Sequence, residues 1–382
     1  MDKHYNYIVV GAGLAGLVLA ERLSAAGHRC LVLERRSHIG GNCHDKTDKN
    51  GLLYHAYGPH YFRTNSTEVR DYLSRFTEWR ETVYKVQVAT QGRDWSFPIN
   101  LKTFQQFTGR TDATEAEFKD YLGNKRVDIA NPKTSEEAML ASVGEEFYNL
   151  FFRGYTLKQW GRPASQLDAS VCRRIPVRTG FDERYFQEQF QALPQKGYNA
   201  MFENMIEAAP IEIRLGVDYR EVLPFVQCDH LIYTGPLDEY FDCKLGRLPY
   251  RSLRFNLEEI SDPAMSGGFA QSVLQINYPG NELYTRTVEV KHITGQQSRN
   301  TNIVREFPQE YKPGTSEPYY PIPGPESQLL ADRYRRLAEQ EKNVTFIGRL
   351  ATYRYLNMDQ VVGAALHTAE KLLHRHRLPA AV

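Results

Sequence analysis

Residues Tyr5–Glu34 read YNYIVVGAGLAGLVLAERLSAAGHRCLVLE, and this stretch decides the fold. It begins with a β-branched run over Tyr5–Val10, passes through the turn GAGLAG, and continues as an amphipathic helix to about Ala26. CLVLE, residues Cys30–Glu34, is a second apolar strand that ends in an acid. A strand, a helix and a strand in this order predict a βαβ unit, and therefore a parallel sheet in the first domain.

The turn GAGLAG has the spacing of a dinucleotide-binding fingerprint, although a glycine-rich turn without a ligand is the alternative. Glycine is required in the turn, where the backbone approaches a pyrophosphate, and where the helix meets the strand. The helix N-terminus offers N–H groups to phosphates, and Glu34 stands where an acid accepts from ribose hydroxyls. We therefore predict cofactor contacts from Gly11, Gly13, Leu14, Ala15, Gly16 and Glu34.

A second glycine pair, Gly40-Gly41 in RRSHIGGN, favours FAD over NAD, because an ERR…GG continuation resembles flavoproteins whose second loop also touches the FAD phosphates. The last predicted helix begins near Asn357-Met358, and its positive dipole end would face the flavin ring. The turn at Gly58-Pro59 would bring His60 beside that ring. Further predicted FAD contacts are Arg35, Gly41, Asn42, Tyr57, His60, Gly348, Arg349, Asn357 and Met358.

Composition excludes several classes of protein. Lys and Arg number 47 and Asp and Glu 46, so no general basic field would attract nucleic acid or a membrane surface. The five cysteines are scattered, which predicts neither a disulfide framework nor a metal site and indicates a reducing, cytoplasmic compartment. No signal-type leader and no apolar run near the ~18 residues of a membrane span occur, so a soluble protein is expected.

The predicted fold class is α/β: a Rossmann-type FAD-binding domain with an inserted small helical domain and an antiparallel β-sheet domain. Capping boxes at Thr114 and Thr134 predict helices near 114–124 and 135–153. Alternating segments between about 246 and 310 predict the antiparallel sheet. The predicted domains are 1–78, 196–239 and 313–382 for FAD; 102–145 for the helices; and 79–101, 146–195 and 240–312 for the sheet, which would hold the substrate.

The segment FFRGYTLKQWG, Phe151–Gly161, interleaves aromatic residues with cations. Helical spacing allows a plain core stripe, but Arg153 and Lys158 argue against a fully apolar face. Arg174, predicted on a loop, and Arg286, predicted on a strand, would suit a diphosphate together with nearby tyrosines. The aromatic segment would then hold the base of a second nucleotide, which belongs to the substrate.

These residues resemble the bacterial UDP-galactopyranose mutase family over nearly the whole chain. The motifs that carry the resemblance occur in the family's order: GAGLAG, HIGGN, YGPHYF, FFRGYTLKQWG, RRIPVR, YTGPLD, GRLPYR, LYTRTVEVK, YYPIP and GRLATYRYLNMD. The resemblance implies an isomerase that interconverts UDP-galactopyranose and UDP-galactofuranose by attack of reduced FAD N5 on the anomeric carbon, without net redox change. It also implies a homodimer and an external reductant such as NAD(P)H.

By motif, the resemblance assigns catalytic roles to Arg174, Arg286 and His60. It assigns the nucleotide-sugar site to Phe151, Phe152, Tyr155, Thr156, Trp160, Arg174, Tyr185, Arg286, Tyr320 and Tyr355. Three positions depart from the family's pattern: Arg63 in place of a second His, Tyr84 in place of Asn, and Asn357 in place of Asp. They touch the predicted sugar end of the site, so they are candidates for specificity; drift within one specificity is the alternative.

Other functions remain open from the sequence. A related mutase would act on another nucleotide sugar, such as dTDP-fucopyranose or a UDP-linked variant. A flavin amine oxidase-like oxidoreductase shares the fingerprint and Glu34 but has no use for GYTLKQWG or for Arg174. A flavoprotein that only binds nucleotide would not need both diphosphate arginine motifs.

Overall fold

The computed structural model describes residues 3–377. The ends of the predicted FAD-binding domain, 1–2 and 378–382, lie outside the described residues. The strands are β1 Lys3–Val10, β2 Cys30–Glu34, β3 Asp45–Thr47, β4 Leu53–His55, β5 Phe62–Thr64, β6 Trp79–Glu81, β7 Val86–Thr90, β8 Arg93–Phe97, β9 Phe190–Pro194, β10 Ile211–Leu215, β11 Val226–Tyr233, β12 Tyr250–Ile260, β13 Gln275–Asn277, β14 Arg286–Val288, β15 Thr301–Glu310, β16 Tyr320–Pro321 and β17 Val344–Phe346.

The helices follow the same order along the chain, and a π-helical turn, Tyr148–Arg153, joins α5 to α6. They are α1 Leu14–Ala25, α2 Thr67–Leu73, α3 Leu101–Thr108, α4 Glu115–Lys125, α5 Ser135–Phe147, α6 Gly154–Trp160, α7 Ser170–Arg173, α8 Tyr198–Glu207, α9 Tyr219–Val222, α10 Leu237–Tyr240, α11 Lys291–Thr294, α12 Pro325–Ala338 and α13 Met358–Arg377. Among residues 3–377, no helix combines the length and hydropathy that crossing a membrane requires.

A five-stranded parallel sheet forms the first layer, in the order β10-β2-β1-β11-β17. The predicted βαβ unit is confirmed: β1 and β2 pair in parallel, with Tyr7 opposite Cys30 and Val10 opposite Leu33. α1 packs against α13 on one face, where Leu17 and Val362 are completely buried. Because β11 and β17 come from distant parts of the chain, the sheet is assembled from separate segments.

A seven-stranded sheet stands beside it, in the order β16-β12-β15-β14-β13-β7-β8. Its longest ladder is antiparallel and runs from Arg251 opposite Glu310 to Ile260 opposite Thr301. β13 and β7, however, run parallel, so the sheet is mixed where an antiparallel one was predicted. These two strands are joined through other elements rather than by a hairpin, so chain connectivity does not impose an antiparallel direction.

Both predicted capping boxes of the helical part are confirmed. Thr114 and Glu117 cap α4 reciprocally, as Thr134 and Glu137 cap α5. The prediction of one helix over 135–153 is wrong, because Gly144 adopts φ +77° inside α5 and a π-helical turn follows. A Cβ at Gly144 would lie 2.5 Å from the Lys125 carbonyl oxygen, so glycine is required there.

Candidate functional site

The two glycine-rich turns interlock beside β1. Gly11 has φ +103°, and a Cβ on it would lie 2.1 Å from Oγ1 of Thr234. A Cβ on Gly16 would lie 2.0 Å from the Gly11 carbonyl oxygen, so close packing of helix on strand excludes a side chain there. The backbone N–H of Gly40 donates to the Ala12 carbonyl at 2.8 Å, which joins the second turn to the first.

The N-terminus of α1 fits a dinucleotide pyrophosphate. Its N-cap residue, Gly13, supplies no side-chain cap, and no acid lies in the first turn. The first-turn N–H groups are therefore free to donate to phosphate oxygens. Glu34 is buried, and its two carboxylate oxygens accept from the backbone N–H groups of Ala12 and Arg36, each at 2.8 Å. Glu34 thus fixes the shape of the turn.

Most predicted cofactor contacts line one elongated cavity along the carboxyl ends of the parallel strands. Those that line it are Gly11, Gly13, Leu14, Ala15, Glu34, Arg35, Gly41, Asn42, His60, Gly348, Arg349 and Met358. Three predicted contacts do not. Gly16 lies beneath the turn, Tyr57 lies under the guanidinium of Arg36 at 4.6 Å, and Asn357 faces a second cavity.

Sequence reasoning missed several residues of this first cavity. Arg36 lines it and donates to Asn42 Oδ1 at 3.0 Å, while Arg35 is held by Glu317 at 2.8 Å. Thr234 and Gly235 line it directly after β11. A signal for this pair was available, because YTGPLD follows an apolar strand, and ligands bind at the carboxyl ends of parallel strands.

A second cavity joins the first. It brings together every residue predicted for the nucleotide-sugar site and for specificity: Arg63, Tyr84, Phe151, Phe152, Tyr155, Thr156, Trp160, Arg174, Tyr185, Arg286, Tyr320, Tyr355 and Asn357. His60, Tyr319, Arg349 and Met358 line both cavities and form the junction between them. Among residues 3–377, no cluster of His, Cys, Asp and Glu side chains could hold a metal ion.

Cations and tyrosines converge on one wall of the second cavity. Nη1 of Arg174, which directly follows the short helix α7, donates to the Tyr355 hydroxyl at 2.9 Å. The Arg349 guanidinium lies 5.1 Å from the Tyr355 ring centre, and Tyr320 stacks on Tyr355 at 5.6 Å. Desolvation opposes ionisation of Tyr355, but Arg174 and Arg349 outweigh it and lower the pKa of its hydroxyl. This wall is suited to an anion.

Arg286 begins β14 and reaches the cavity from a buried pair. Its Nε lies 3.2 Å from Oε1 of Glu306, a carboxylate that also accepts from Gln159 Nε2 at 3.2 Å. Sequence reasoning missed Glu306, although a glutamate within the apolar alternation of NIVREFP was a visible irregularity. Because Glu306 contacts only one edge of the guanidinium, the opposite N–H groups remain directed to the cavity.

The aromatic segment serves as core and cavity wall at once. Phe151 is buried against Trp95 and Phe147, at ring-centre distances of 5.6 and 5.8 Å, and also lines the second cavity. The core interpretation and the platform interpretation are therefore compatible. The Lys158 side chain faces neither the core nor the cavity. Its Nζ donates to the carbonyls of Tyr278, Glu282 and Tyr284 at 2.6, 2.8 and 3.1 Å.

His60 is held at the junction by its own turn. Its backbone N–H donates to Nδ1 of His55 at 3.0 Å, and its ring nitrogen Nδ1 lies 2.9 Å from the Gly58 carbonyl oxygen. Burial lowers the pKa of His60 to about 4 and that of His55 to about 3. Both imidazoles are thus neutral at pH 7, and His60 presents no positive charge at the junction.

Comparisons with known proteins agree with this geometry. The sequence profile of UDP-galactopyranose mutase matches residues 150–355, and that of a Rossmann-like NAD(P)-binding domain matches residues 9–76. A probable UDP-galactopyranose mutase of Klebsiella pneumoniae is 38% identical over 376 residues, which cover 96% of this chain and 94% of the relative. A dTDP-fucopyranose mutase of Escherichia coli is 32% identical over 378 residues, covering 97% and 99%.

A solved structure shares the fold. The crystal structure of a reduced UDP-galactopyranose mutase matches with a TM-score of 0.77 at 16% identity, covering 98% of this chain and 94% of that one. The Rossmann-like domain and the joined second cavity define an isomerase of the mutase class, built on a fold that flavoenzymes use. The chain belongs to the UDP-galactopyranose mutase family.

Proposed function

We propose that this protein interconverts the pyranose and furanose forms of a nucleotide-linked sugar, with UDP-galactose as the first candidate substrate. The observation that carries the proposal is the junction at His60 and Arg349, where the dinucleotide cavity opens into the cavity lined by arginines and tyrosines. A nucleotide sugar with its diphosphate on that wall would present its anomeric carbon to the end of a cofactor in the first cavity.

The first cavity is proposed to hold FAD. The two glycine turns and the N-terminus of α1 would bind its pyrophosphate, and the first turn of α13 would lie near its ring. When bound in its reduced state, FAD would supply a nucleophilic N5 for the anomeric carbon. His60, Tyr319 and Met358 would orient the substrate against that ring and keep water from the junction.

The diphosphate is proposed to lie among Arg174, Arg286 and Arg349. As the glycosidic C–O bond breaks, negative charge grows on the departing phosphate oxygens, and fixed cations stabilise it without reorganisation. Tyr185, Tyr320 and Tyr355 line the same wall and would complete the set of donors. Because Arg174 is exposed at the cavity mouth, a small movement of its segment would cover the diphosphate.

The base is proposed to bind along α6 and the preceding π-helical turn. Phe151, Phe152 and Trp160 are buried, and Tyr155 and Thr156 lie between them on the cavity side. Aromatic faces hold a pyrimidine by stacking, and the Thr156 hydroxyl offers a hydrogen bond to its polar edge. Their rigid burial would let the base enter without a large loss of side-chain entropy.

A second candidate substrate is a dTDP-linked sugar such as dTDP-fucopyranose. It is favoured by the contact of Arg63 with Asn357 at 3.1 Å, which replaces two residues of the family's pattern with a different pair at the predicted sugar end. Tyr84 is the third candidate for specificity and lies deeper in the same cavity. The bases differ by one methyl group, so the sugar is the more informative part to vary.

The decisive experiment is anaerobic turnover by the dithionite-reduced protein. UDP-galactofuranose and dTDP-fucofuranose are supplied in parallel, and pyranose formation is followed by chromatography. We expect conversion without consumption of reductant per turnover, which separates a mutase from an oxidoreductase. Stoichiometric consumption of reductant would contradict the mutase proposal, and the preferred sugar would identify the substrate.

Three further properties are proposed from family membership. We infer a homodimer in the cytoplasm, whose flavin is kept reduced by an external donor such as NAD(P)H. Light scattering coupled to size exclusion measures the mass of the assembly against the 44.0 kDa chain. Anaerobic bleaching of the flavin by NADH or NADPH identifies the reductant; absence of bleaching by both contradicts that part of the proposal.

A further inference from the structure

A line of three polar side chains crosses the floor of the second cavity. The Tyr84 hydroxyl donates to Gln275 Oε1 at 2.5 Å, and Gln275 Nε2 donates to Asn277 Oδ1 at 2.7 Å. All three are almost completely buried, at 3%, 3% and 6% exposure, and all three line the cavity. Gln275 and Asn277 lie two residues apart on β13 and therefore share one face of the sheet.

The line ends beside Arg286. Asn277 stands opposite Arg286 in the pairing of β13 with β14, so their side chains are close neighbours. Within residues 3–377, Oδ1 of Asn277 accepts from Gln275, and Nδ2 donates to no protein group. A buried amide that keeps two free N–H groups in a cavity is a ready donor for a ligand oxygen.

Tyr84, at the opposite end of the line from Asn277, determines which group donates in each hydrogen bond. Burial raises the pKa of the Tyr84 hydroxyl, and the opposing effect of the Arg286 charge is smaller, so the hydroxyl stays neutral. A neutral hydroxyl near a cation turns its oxygen toward the charge and its proton away, which makes Tyr84 the donor to Gln275. Gln275 then has only its N–H groups to offer Asn277, and Asn277 in turn has only N–H groups to offer the cavity.

We propose that Tyr84 and Gln275 are positioning residues that lock the Asn277 amide with its N–H groups toward the substrate, as a neutral donor beside Arg286. The inference rests on the proposed function, because it takes the ligand to be a nucleoside diphosphate sugar. The group recognised is an acceptor oxygen next to Arg286, either on the diphosphate or on the attached sugar. We call the two hydrogen bonds from Tyr84 to Gln275 and from Gln275 to Asn277 the lock. Without it the Asn277 amide could flip and present Oδ1 to the cavity, where Oδ1 would repel an acceptor oxygen.

Titration calorimetry of the FAD-loaded protein with UDP and with UDP-galactose tests the lock. Tyr84→Phe removes the hydroxyl, and Gln275→Met removes the amide at nearly constant volume. Each is expected to weaken binding about fivefold to tenfold, the usual effect of one lost hydrogen bond to a ligand. If the variants lose affinity for both ligands, the acceptor oxygen belongs to the diphosphate. If they lose affinity for UDP-galactose alone, it belongs to the sugar.

A double-mutant cycle separates positioning from a general structural role. In an Asn277→Ala background, Tyr84→Phe should have no further effect on affinity, because its influence passes through Asn277. The same loss in both backgrounds, or no loss in either, overturns the proposal. Thermal unfolding and flavin absorbance serve as fold controls, and they should stay close to wild type in all variants.

These experiments distinguish failure of the lock from failure of the proposed function. If the wild type binds UDP but converts no nucleotide sugar, the proposed reaction is wrong while the cycle still decides the lock. If the wild type converts the sugar and the cycle shows no coupling, the lock alone is wrong. If the wild type binds no uridine or thymidine diphosphate, both are overturned.

Discussion

Nη2 of Arg63 donates to Oδ1 of Asn357 at 3.1 Å, across the mouth of the second cavity. Arg63 lies on β5 and Asn357 precedes α13, so the contact ties β5 to the last helix. The Arg63 guanidinium also stacks on Phe186 at 3.9 Å. Two departures from the family's pattern therefore form one structural unit and should act together rather than separately.

Arg63→Ala should lower kcat/KM for the preferred nucleotide sugar about tenfold, because one lost charged hydrogen bond near the sugar is worth about that much. Affinity for UDP, which lacks the sugar, should change less than twofold. Arg70→Ala is the matched control, since Arg70 is half-exposed and lies outside both cavities. If Arg63→Ala lowered the affinity for UDP as much as it lowered kcat/KM for the nucleotide sugar, Arg63 would act on the diphosphate rather than on the sugar.

Arg174→Ala should abolish turnover, with a loss of 100-fold or more, while FAD stays bound. Arg174 contacts the second cavity and not the first, so the cofactor loses no partner. Its neighbour provides the control: Arg173 points to the Pro132 carbonyl at 3.1 Å, and Arg173→Ala should retain activity. Steady-state kinetics and flavin absorbance decide the matter, and substantial residual turnover in Arg174→Ala would refute the proposed role.

Lys158→Met should raise KM and lower the free energy of unfolding by about 2 kcal/mol, because it leaves three carbonyls without their ammonium partner. Those carbonyls belong to the 278–284 loop, which leads into β14 and Arg286. Releasing the loop would loosen Arg286 relative to α6. Arg153→Met, at an exposed site of the same segment, is the control. Urea unfolding and kinetics measure the two effects, and an unchanged KM would limit Lys158 to stability.

Three histidines make stability depend on pH. Desolvation lowers the pKa of His44 and His60 to about 4 and that of His55 to about 3, from an ordinary value of 6.5. Between those values the unfolded chain binds more protons than the folded one, so the free energy of unfolding falls as the pH drops from 7 toward 4. Asp45, whose pKa burial raises to about 6, acts in the opposite direction, because the folded protein takes up its proton as the pH falls through that value.

Urea unfolding at several pH values between 7 and 5 measures this slope. His55→Asn should flatten it, because Asn keeps an acceptor for the His60 N–H without a titrating ring. His4→Asn, at an exposed surface position, is the matched control for replacing a histidine by asparagine. A slope that is identical in wild type and His55→Asn would mean that His55 does not supply the dependence.

Several local elements of the FAD-binding and helical domains followed from the sequence. GAGLAG, CLVLE and the two capping boxes depend on spacing over fewer than ten residues, and the structure has the expected turn, strand and helix starts. The parallel pairing of β13 with β7 did not follow, since nothing local in either segment sets its direction. The π-helical turn before α6 was also missed, because aromatic spacing alone fits an α-helix equally well.

The site shows the same division. Arg174 and Arg286 were predicted first as cations suited to a diphosphate and then again through the family resemblance, and they line one cavity. Glu306, Gln275 and Asn277 were missed, because their importance lies in contacts with residues that are distant in sequence. Polar residues within short apolar strands carried the available signal, but their partners are distant in sequence. The register of the seven-stranded sheet brings Asn277 and Glu306 opposite Arg286.

The order of strands in the parallel sheet has a consequence for biosynthesis. β1 and β2 leave the ribosome first, yet their neighbours β11 and β17 are made much later, and Gly348 and Met358 close the same cavity as Gly11. The nascent chain therefore cannot complete its cofactor site until synthesis has passed Met358. We expect flavin uptake to follow that point, with the β1 edge open to mispairing until β11 has been made.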